Sequence, residues 1–179
     1  TNTISRFTAD GQSAGAPLAD NGLDMPYGIA VIGSEVWVVN AGNDSISRFG
    51  PDGSPAGQPL LGNGLSMPKG IAAVGPEAWV SNAGNNSISR FHSDGTAAGD
   101  VLRGINGLTG GPRGIADLGA QAWVANVNDD TISQFTHDGS SAGAPLHGNG
   151  LSAPDGVALV GSQVWVTNLT GTISRFTAD

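Results

Sequence analysis

The stretch that decides the fold is residues 26–49, which read PYGIAVIGSEVWVVNAGNDSISRF. It contains three short runs that are rich in β-branched residues, at 28–32, 35–40 and 45–49, and turn-forming residues separate them. The middle run, EVWVVN, has apolar residues at four successive positions, which is typical of a strand that is buried on both faces. No window has a helical period, because Gly or Pro interrupts each candidate. Residues 26–49 therefore predict three antiparallel strands, which we label A, B and C.

This stretch recurs along the chain with a period of about 42 residues. Further copies occupy residues 68–91, 112–135 and 154–176, and the phrase I-S-[RQ]-F begins at residues 4, 46, 88, 132 and 173. An Asp-Gly pair follows strand C and predicts a hairpin turn into a weak fourth strand, D, near residues 56–60 of the first copy. A repeated four-stranded sheet of this length is the signature of a β-propeller blade. We therefore predict an all-β propeller of four blades.

We interpret residues 1–179 as a single repeat array, and its two ends share one sequence. The repeat units span about residues 2–43, 44–85, 86–129 and 130–170, followed by a terminal strand at 171–179. Residues 3–10 and 172–179 both read TISRFTAD, so the first unit lacks strands A and B and the last lacks strand D. Because unpaired sheet edges invite aggregation, we expect the end strands to pair and close the ring. One chain would close a four-bladed ring, two chains that exchange end strands would close an eight-bladed ring, and a third alternative is a fragment of a longer array.

Composition and charge exclude several classes of function. The net charge is −8, with only seven Lys and Arg, so we expect neither nucleic acid nor an anionic membrane surface as a partner. No apolar run approaches 18 residues, which predicts no membrane span. The absence of cysteine excludes disulfides and thiolate chemistry. Low charge, many small polar residues and an acidic pI resemble secreted bacterial proteins, so we expect a secreted or cell-surface location; no signal peptide is visible in the chain.

The remaining motifs do not predict catalysis, a metal or a cofactor. The serine-hydrolase phrase G-x-S-x-G occurs at 11–15 and 139–143, but both copies fall in the turn between strands C and D, where a nucleophile elbow cannot form. The three histidines lack the spacing of a zinc site. One Asp in each hairpin is too few oxygens for calcium.

Two repeat positions are candidate ligand-binding positions. The residue after the repeat proline is the most diverse one, and we expect it near one mouth of the central channel: Tyr27, Lys69, Arg113 and Asp155. The residue that ends strand B is always asparagine, which either faces a ligand or bonds the following turn: Asn40, Asn82, Asn126 and Asn168. The arginine that recurs in strand C predicts an ion pair or an amide contact to a neighbouring strand or turn, in preference to a ring of anion sites.

The repeated phrases at 26–49 and 68–91 resemble those of NHL-type and streptogramin-lyase-like β-propellers, and the resemblance covers essentially the whole chain. It implies a propeller fold, and it implies little about function because this scaffold hosts many functions. The lyase branch carries catalytic His and Glu in P-H-G and W-F-T-E phrases. Here Tyr27, Lys69, Arg113 and Asp155 replace the His, and asparagine closes strand B, so lyase activity is not carried over.

We therefore expect a non-enzymatic scaffold or binding module that assembles through its end strands, as in a homodimer formed by end-strand exchange. Its ligand is unknown and would be a protein, a peptide or a glycan. The alternatives are a lyase-like enzyme with a site in the channel and a carbohydrate-binding propeller in which recurring Trp and Asn form pockets.

Overall fold

The computed structural model describes residues 2–178 and is all-β in that range. Its thirteen strands are β1 (Pro26–Ile32), β2 (Glu35–Asn40), β3 (Ser45–Phe49), β4 (Pro68–Val74), β5 (Glu77–Asn82), β6 (Ser87–His92), β7 (Leu102–Arg103), β8 (Pro112–Asp117), β9 (Ala122–Asn126), β10 (Thr131–Phe135), β11 (Pro154–Val160), β12 (Gln163–Asn168) and β13 (Thr172–Thr177). Within residues 2–178, no helix has the length and apolarity needed to cross a bilayer.

The strands form four antiparallel sheets in the order A-B-C, as the sequence predicts. We call them blade 1 (26–60), blade 2 (68–103), blade 3 (112–146) and blade 4 (154–177). The segment at 3–18 is a separate N-terminal hairpin, held by the bridges between Ile4 and Leu18 and between Phe7 and Ser13. The repeat units defined from the sequence begin at strand C. Each sheet therefore contains strands A and B from one unit and strand C from the next.

The turn after strand C has the predicted form, but strand D is mostly reduced to isolated bridges. In blade 1, Gly53 has a φ of 88°, and the backbone N–H of Ser54 donates to the Asp52 carboxylate at 3.0 Å. The D segment then pairs only through Pro55 and Leu60. Since Pro has no N–H and Gly disfavours extended structure, a segment rich in both cannot form a continuous ladder. Only blade 2 has a regular D strand, β7.

Neighbouring blades pack face to face through one repeated aromatic contact. Trp37 of blade 1 meets Phe91 of blade 2 edge to face, with 6.3 Å between ring centroids. Trp79 meets Phe135 at 6.1 Å in the same way, and Trp123 meets Phe176 at 6.2 Å. The Trp of each of the first three blades thus packs against the Phe of the next, in a geometry that aromatic rings prefer. This contact explains the two-sided burial predicted for strand B.

The inner strands approach one another closely in the order β1, β4, β8, β11, because each carries the glycine of the Pro-x-Gly phrase. A Cβ on Gly28 would lie 2.7 Å from the carbonyl oxygen of Lys69 on the next inner strand. Real side chains do not tolerate that distance, so glycine is required where the inner strands converge.

The last blade has the same sequence pattern as the others but a different burial. Strand β2 ends in four buried residues, whereas β12 alternates between exposed and buried positions. Trp165 is 37% exposed, whereas Trp37 is fully buried, and Ile173 is 59% exposed, whereas Ile88 is fully buried. The difference arises because, within residues 2–178, no further blade packs on this face of blade 4.

The ring is not closed within residues 2–178, so the alternative in which one chain pairs its own end strands is not the one observed. Strand β12 pairs with β13 of the same blade, and the N-terminal hairpin packs instead beside blade 1, with Ile4 and Leu18 against Phe49. The physical reason lies in the repeated end sequence. Because residues 3–8 and 172–177 are identical, the copy that is adjacent along the chain already occupies the edge of β12.

Two of the recurrent arginines, Arg48 and Arg90, form ion pairs inside their blades, one of the contacts that the sequence predicts. In blade 1, Arg48 binds the Glu35 carboxylate through Nε at 2.7 Å and through a terminal nitrogen at 2.9 Å, and its guanidinium lies 5.3 Å from the Trp37 ring centroid. Arg90 repeats this contact with Glu77 in blade 2 and also donates to the backbone carbonyl of Asp138 in blade 3 at 3.0 Å. The recurrent Asp therefore contributes its carbonyl oxygen, and the carboxylate comes from the start of strand B.

The asparagine at the end of strand B holds the end of each blade together. In blade 2, the Asn82 amide donates to the hydroxyls of Ser87 and Ser89, and its carbonyl oxygen accepts the backbone N–H of Ser66 at 3.1 Å. Blades 1 and 4 repeat this arrangement. In blade 3, the buried Asn126 carbonyl oxygen has no partner among the described residues, and this blade has a two-residue insertion in the preceding connection.

We predict that replacing Asn82 with alanine destabilises the protein by about 1–3 kcal/mol, because the partly buried N–H of Ser66 and the buried hydroxyls of Ser87 and Ser89 lose their partner. The free energy of unfolding should be measured by urea denaturation. Asn128→Ala, at an exposed asparagine, is the control and should change stability by less than about 0.5 kcal/mol. Equal effects of the two substitutions would contradict this role.

A second prediction concerns acid stability. Hydrogen bonds from Arg48 are the main cause that lowers the pKa of Glu35 below its usual 4.5, against the opposing effect of burial. Because this pKa is lower in the folded chain, the carboxylate stabilises the fold above about pH 4.5 and loses that contribution as the pH falls through the folded value. We expect Glu35→Gln to lose stability less steeply than the wild type between pH 5 and pH 3, measured by urea denaturation. Asp100→Asn, at an exposed carboxylate, is the control, and an unchanged slope in Glu35→Gln would refute the account.

Candidate functional site at the channel mouth

The four residues that follow the repeat prolines come together in one cavity. The cavity has a volume of about 240 Å³ and is lined by the first residues of the four inner strands, β1, β4, β8 and β11. The four residues are Tyr27, Lys69, Arg113 and Asp155. They gather there because the close approach of the inner strands brings equivalent positions of successive blades side by side. A position that is 42 to 44 residues away in the sequence is thus a direct neighbour in space.

Within this cavity the four side chains form two pairs. The Lys69 ammonium lies 4.0 Å from the centroid of the Tyr27 ring, a cation–π contact. A terminal nitrogen of Arg113 binds the Asp155 carboxylate at 2.8 Å, and both side chains are partly exposed. The Nε of Arg113 is buried and has no hydrogen-bond partner among residues 2–178. Arg113 therefore keeps a donor that its ion pair does not use.

The site carries a net positive charge in an acidic protein. It holds two cations and one carboxylate, and Lys69 is the only lysine in the chain. Burial is the main cause that lowers the pKa of Lys69, the positive charge of Arg113 lowers it further, and the Asp155 carboxylate opposes both. A bound anion would relieve this like-charge repulsion. The arrangement is therefore suited to a small ligand with one negative charge.

The asparagines that end strand B, which the sequence offers as the second set of candidate ligand-binding positions, lie elsewhere. Their side chains are buried and hydrogen bonded inside the blades: Asn40, Asn82, Asn126 and Asn168. With their amide groups committed to serine and threonine hydroxyls, they do not line the cavity. Their part in ligand binding stays a prediction, and their observed role is structural.

The other candidate motifs are turn residues, as the sequence analysis favoured. Ser13 and Ser141 of the two G-x-S-x-G phrases are exposed and donate to backbone carbonyls two residues away.

Among the histidines, His137 contacts a carboxylate: its Nε2 lies 2.9 Å from Asp117, and burial alone would raise the pKa of the Asp117 carboxyl group. Backbone N–H donors and His137 outweigh burial and lower it. Among residues 2–178, no group of three His, Asp or Glu side chains could hold a metal.

The diversity of the position after proline pointed to this site, but the pairing inside it could not be predicted. Adjacent blades place Lys69 beside both Tyr27 and Arg113, and only the rotamers decide which contact forms. The unpaired Nε of Arg113 left no signal in the sequence.

Comparison with known proteins gives structural matches only. No protein-family model matches the chain, and neither does any curated protein. Among solved structures, virginiamycin B lyase from Staphylococcus aureus is 21% identical with a TM-score of 0.79, and the match covers 98% of this chain and 59% of the lyase. A structure of the nidogen/laminin complex gives 19% identity, a TM-score of 0.76 and coverage of 98% and 68%. The computationally designed Ika4 protein gives 12% identity, a TM-score of 0.71 and coverage of 90% and 96%.

These likenesses bear on the fold. The chain spans about three fifths of the length of the streptogramin-type lyases that it matches. All identities lie below 25%, so the lyase activity belongs to those proteins alone. The chain has the architecture of a β-propeller, and lyase-like propellers are among the structures that it resembles in fold.

Proposed function

We propose that this chain is a non-enzymatic propeller module that binds a small carboxylate at the channel mouth and assembles through its end strands. The observation that carries the binding proposal is the cluster of Lys69 and Arg113 in one cavity with a single carboxylate. On a uniform repeat scaffold, this is where successive blades differ most in chemistry.

The charges and donors of the site favour one carboxylate group. Within residues 2–178 no carboxylate forms an ion pair with the Lys69 ammonium, and the guanidinium of Arg113, bound to Asp155 through one terminal nitrogen, has a buried Nε without a partner. A carboxylate between the two would receive hydrogen bonds from both and neutralise the excess charge. A dianion such as phosphate would leave a net negative site next to Asp155.

The size of the cavity limits the ligand. A volume of about 240 Å³ lies below the range of roughly 300–1,000 Å³ that is usual for drug-sized ligands. Two sources of a carboxylate fit this limit, a small organic acid and the C-terminal carboxylate of a peptide. One structure with a similar fold is that of the nidogen/laminin complex, in which two proteins bind each other. This likeness supports a peptide or a protein as one of the two partners that we propose.

The composition supports a location outside the cell, and the exposed apolar faces of the end blades support self-assembly. Phe7 at one end and Ile173 at the other are both more than half exposed. Exposed apolar patches on a soluble protein mark interaction surfaces.

The binding proposal predicts that benzoate causes saturable chemical-shift changes at residues 27–29, 69–71 and 113–115 in an NMR titration, whereas benzamide of the same size causes none. Lys69→Gln should weaken benzoate binding at least tenfold, because it removes a partly buried positive charge from the cavity. Arg103→Gln, which removes an exposed positive charge in blade 2, is the matched control and should change affinity less than twofold.

Peptides separate the two sources of the carboxylate. Acetyl-Gly-Gly with a free carboxylate is compared with its C-terminal amide under the same conditions. Tighter binding of the free peptide than of benzoate indicates a peptide partner, and the reverse indicates a small acid. Equal chemical-shift changes with benzoate and benzamide would refute binding at this site. An equal loss of benzoate affinity in Lys69→Gln and Arg103→Gln would also refute it.

A further inference from the structure

The cavity at the channel mouth contains a nucleophile, which the binding proposal uses only as a positive charge. Lys69 is the only lysine in the chain, and its side chain lines the cavity and is partly exposed. A lysine amine attacks carbonyl carbons once it has lost its proton, and a desolvated site or a neighbouring cation makes that loss easier. The chemistry available to Lys69 therefore extends beyond holding an anion.

The groups around Lys69 favour its uncharged form. Burial is the main cause that lowers the pKa of its ammonium group, and the positive charge of Arg113 acts in the same direction. The Asp155 carboxylate opposes both, but it is bound to Arg113 at 2.8 Å, and within residues 2–178 no carboxylate forms an ion pair with Lys69. A larger fraction of this amine is therefore free to react at neutral pH than in a fully exposed lysine.

A buried serine holds the starts of the inner strands β4 and β8 side by side. The Ser81 hydroxyl accepts the backbone N–H of Gly70 on β4 at 2.9 Å and donates to the backbone carbonyl oxygen of Arg113 on β8. A Cβ on Gly70 would overlap that same carbonyl oxygen, so the two strands are in direct contact. The bridge fixes Lys69 and Arg113 as neighbours. The equivalent positions in blades 1 and 3 are apolar: Val39 and Ala125.

An amine and a guanidinium on adjacent strands fit a ligand whose carbonyl and carboxylate groups are also adjacent. The Arg113 guanidinium is partly exposed and binds Asp155 through one terminal nitrogen, which leaves further donors for a ligand carboxylate. A 2-oxo acid has its carbonyl on the carbon next to the carboxylate, so its carbonyl lies beside Lys69 when its carboxylate lies on Arg113. The smallest 2-oxo acids, glyoxylate and pyruvate, are well within the cavity volume of about 240 Å³.

We propose that Lys69 captures 2-oxo acids as an imine while Arg113 binds their carboxylate. This inference rests on the carboxylate site of the proposed function, and it names the class of ligand and the bond that holds it. The uncharged amine attacks the carbonyl carbon and forms the C–N bond. The carbonyl oxygen takes both protons of the amine by way of solvent and leaves as water, so that a C=N bond replaces the C=O bond. Hydrolysis reverses the step, and capture needs neither an oxidant nor a reductant.

Tyr27 stabilises the product of this step as well as the free lysine. The Lys69 Nζ lies 4.0 Å from the centroid of the Tyr27 ring. The imine takes up a proton at the same nitrogen, and its positive charge keeps the cation–π contact. The cation that is lost when the amine gives up its proton is thus restored after capture, above the same ring and beside the carboxylate of the ligand.

Reductive trapping in the intact chain tests the capture. Sodium cyanoborohydride reduces the imine of pyruvate to a stable amine, which adds the mass of one carboxyethyl group. We expect this group on Lys69 in peptide mass spectrometry, at an initial rate at least tenfold above that of Nα-acetyllysine in the same solution, because burial and Arg113 activate the amine. Peptide mapping separates Lys69 from the N-terminal amine, and Lys69→Arg, which keeps the charge without the nucleophile, should give no adduct at this position.

A neutral ester shows whether the carboxylate directs the capture. Methyl pyruvate has the same carbonyl group without the charge. We expect pyruvate to label Lys69 at least tenfold faster than the ester does, after each rate is divided by the corresponding rate for Nα-acetyllysine. Arg113→Gln should remove most of this preference, whereas Arg103→Gln, at an exposed arginine of blade 2, is the matched control and should leave it within twofold.

Benzoate binding and pyruvate labelling can fail separately. Saturable benzoate shifts without labelling of Lys69, or with labelling no faster than that of Nα-acetyllysine, would refute the imine while carboxylate binding stands. Equal normalised rates for pyruvate and its methyl ester would overturn the 2-oxo acid as the ligand. The absence of both benzoate binding and the preference for pyruvate would refute the proposed function and this inference together.

Discussion

The structure depends on the contact between the tryptophan of each blade and the phenylalanine of the next. A blade whose strand B is apolar on both faces cannot stand alone, since one face would remain in water. Fully burying a large apolar side chain stabilises by roughly 1.5–3 kcal/mol, and each interior interface buries a Trp, a Phe and several aliphatic side chains. An interior blade is therefore stable because it has a neighbour on both sides, whereas blade 4 leaves Trp165 partly exposed.

The ion pairs and asparagine contacts support this stacking from the blade edges. Arg48 and Arg90 cover the ring of their own tryptophan and reach the hairpin turn of the next blade. The Asn that ends strand B fixes the loop leading into strand A. The inner strands converge at the glycines of the Pro-x-Gly phrases, and this close approach brings Lys69 and Arg113 into one cavity. The candidate binding site is thus a consequence of how the blades stack.

The strands of each blade could largely be predicted from the sequence, because the same pattern of apolar and turn residues recurs in every repeat unit. Strands B and C of blade 1 have the predicted bounds, 35–40 and 45–49, since turn residues delimit them. The role of Asn82 was left open, because an amide that binds a turn and one that binds a ligand look alike in sequence. Closure was predicted within one chain as one alternative, and the structure shows an open array. Two identical strands, at 3–8 and 172–177, compete for one edge, and their sequence cannot decide which one wins.

Disulfide trapping tests the central claim most directly, and the absence of cysteine makes the experiment clean. If end strands exchange between two copies, so that residues 3–8 of one replace β13 of the other, Ile4 lies opposite Thr167 of the other copy, as Ile46 lies opposite Val39 inside blade 1. A chain with Ile4→Cys and Thr167→Cys should, on mild oxidation, form a covalent dimer of about 36 kDa on a denaturing gel, twice its mass of 17.8 kDa. A disulfide within one chain, which leaves the mass at 17.8 kDa, or the absence of any crosslink would contradict completion of the array by a second copy.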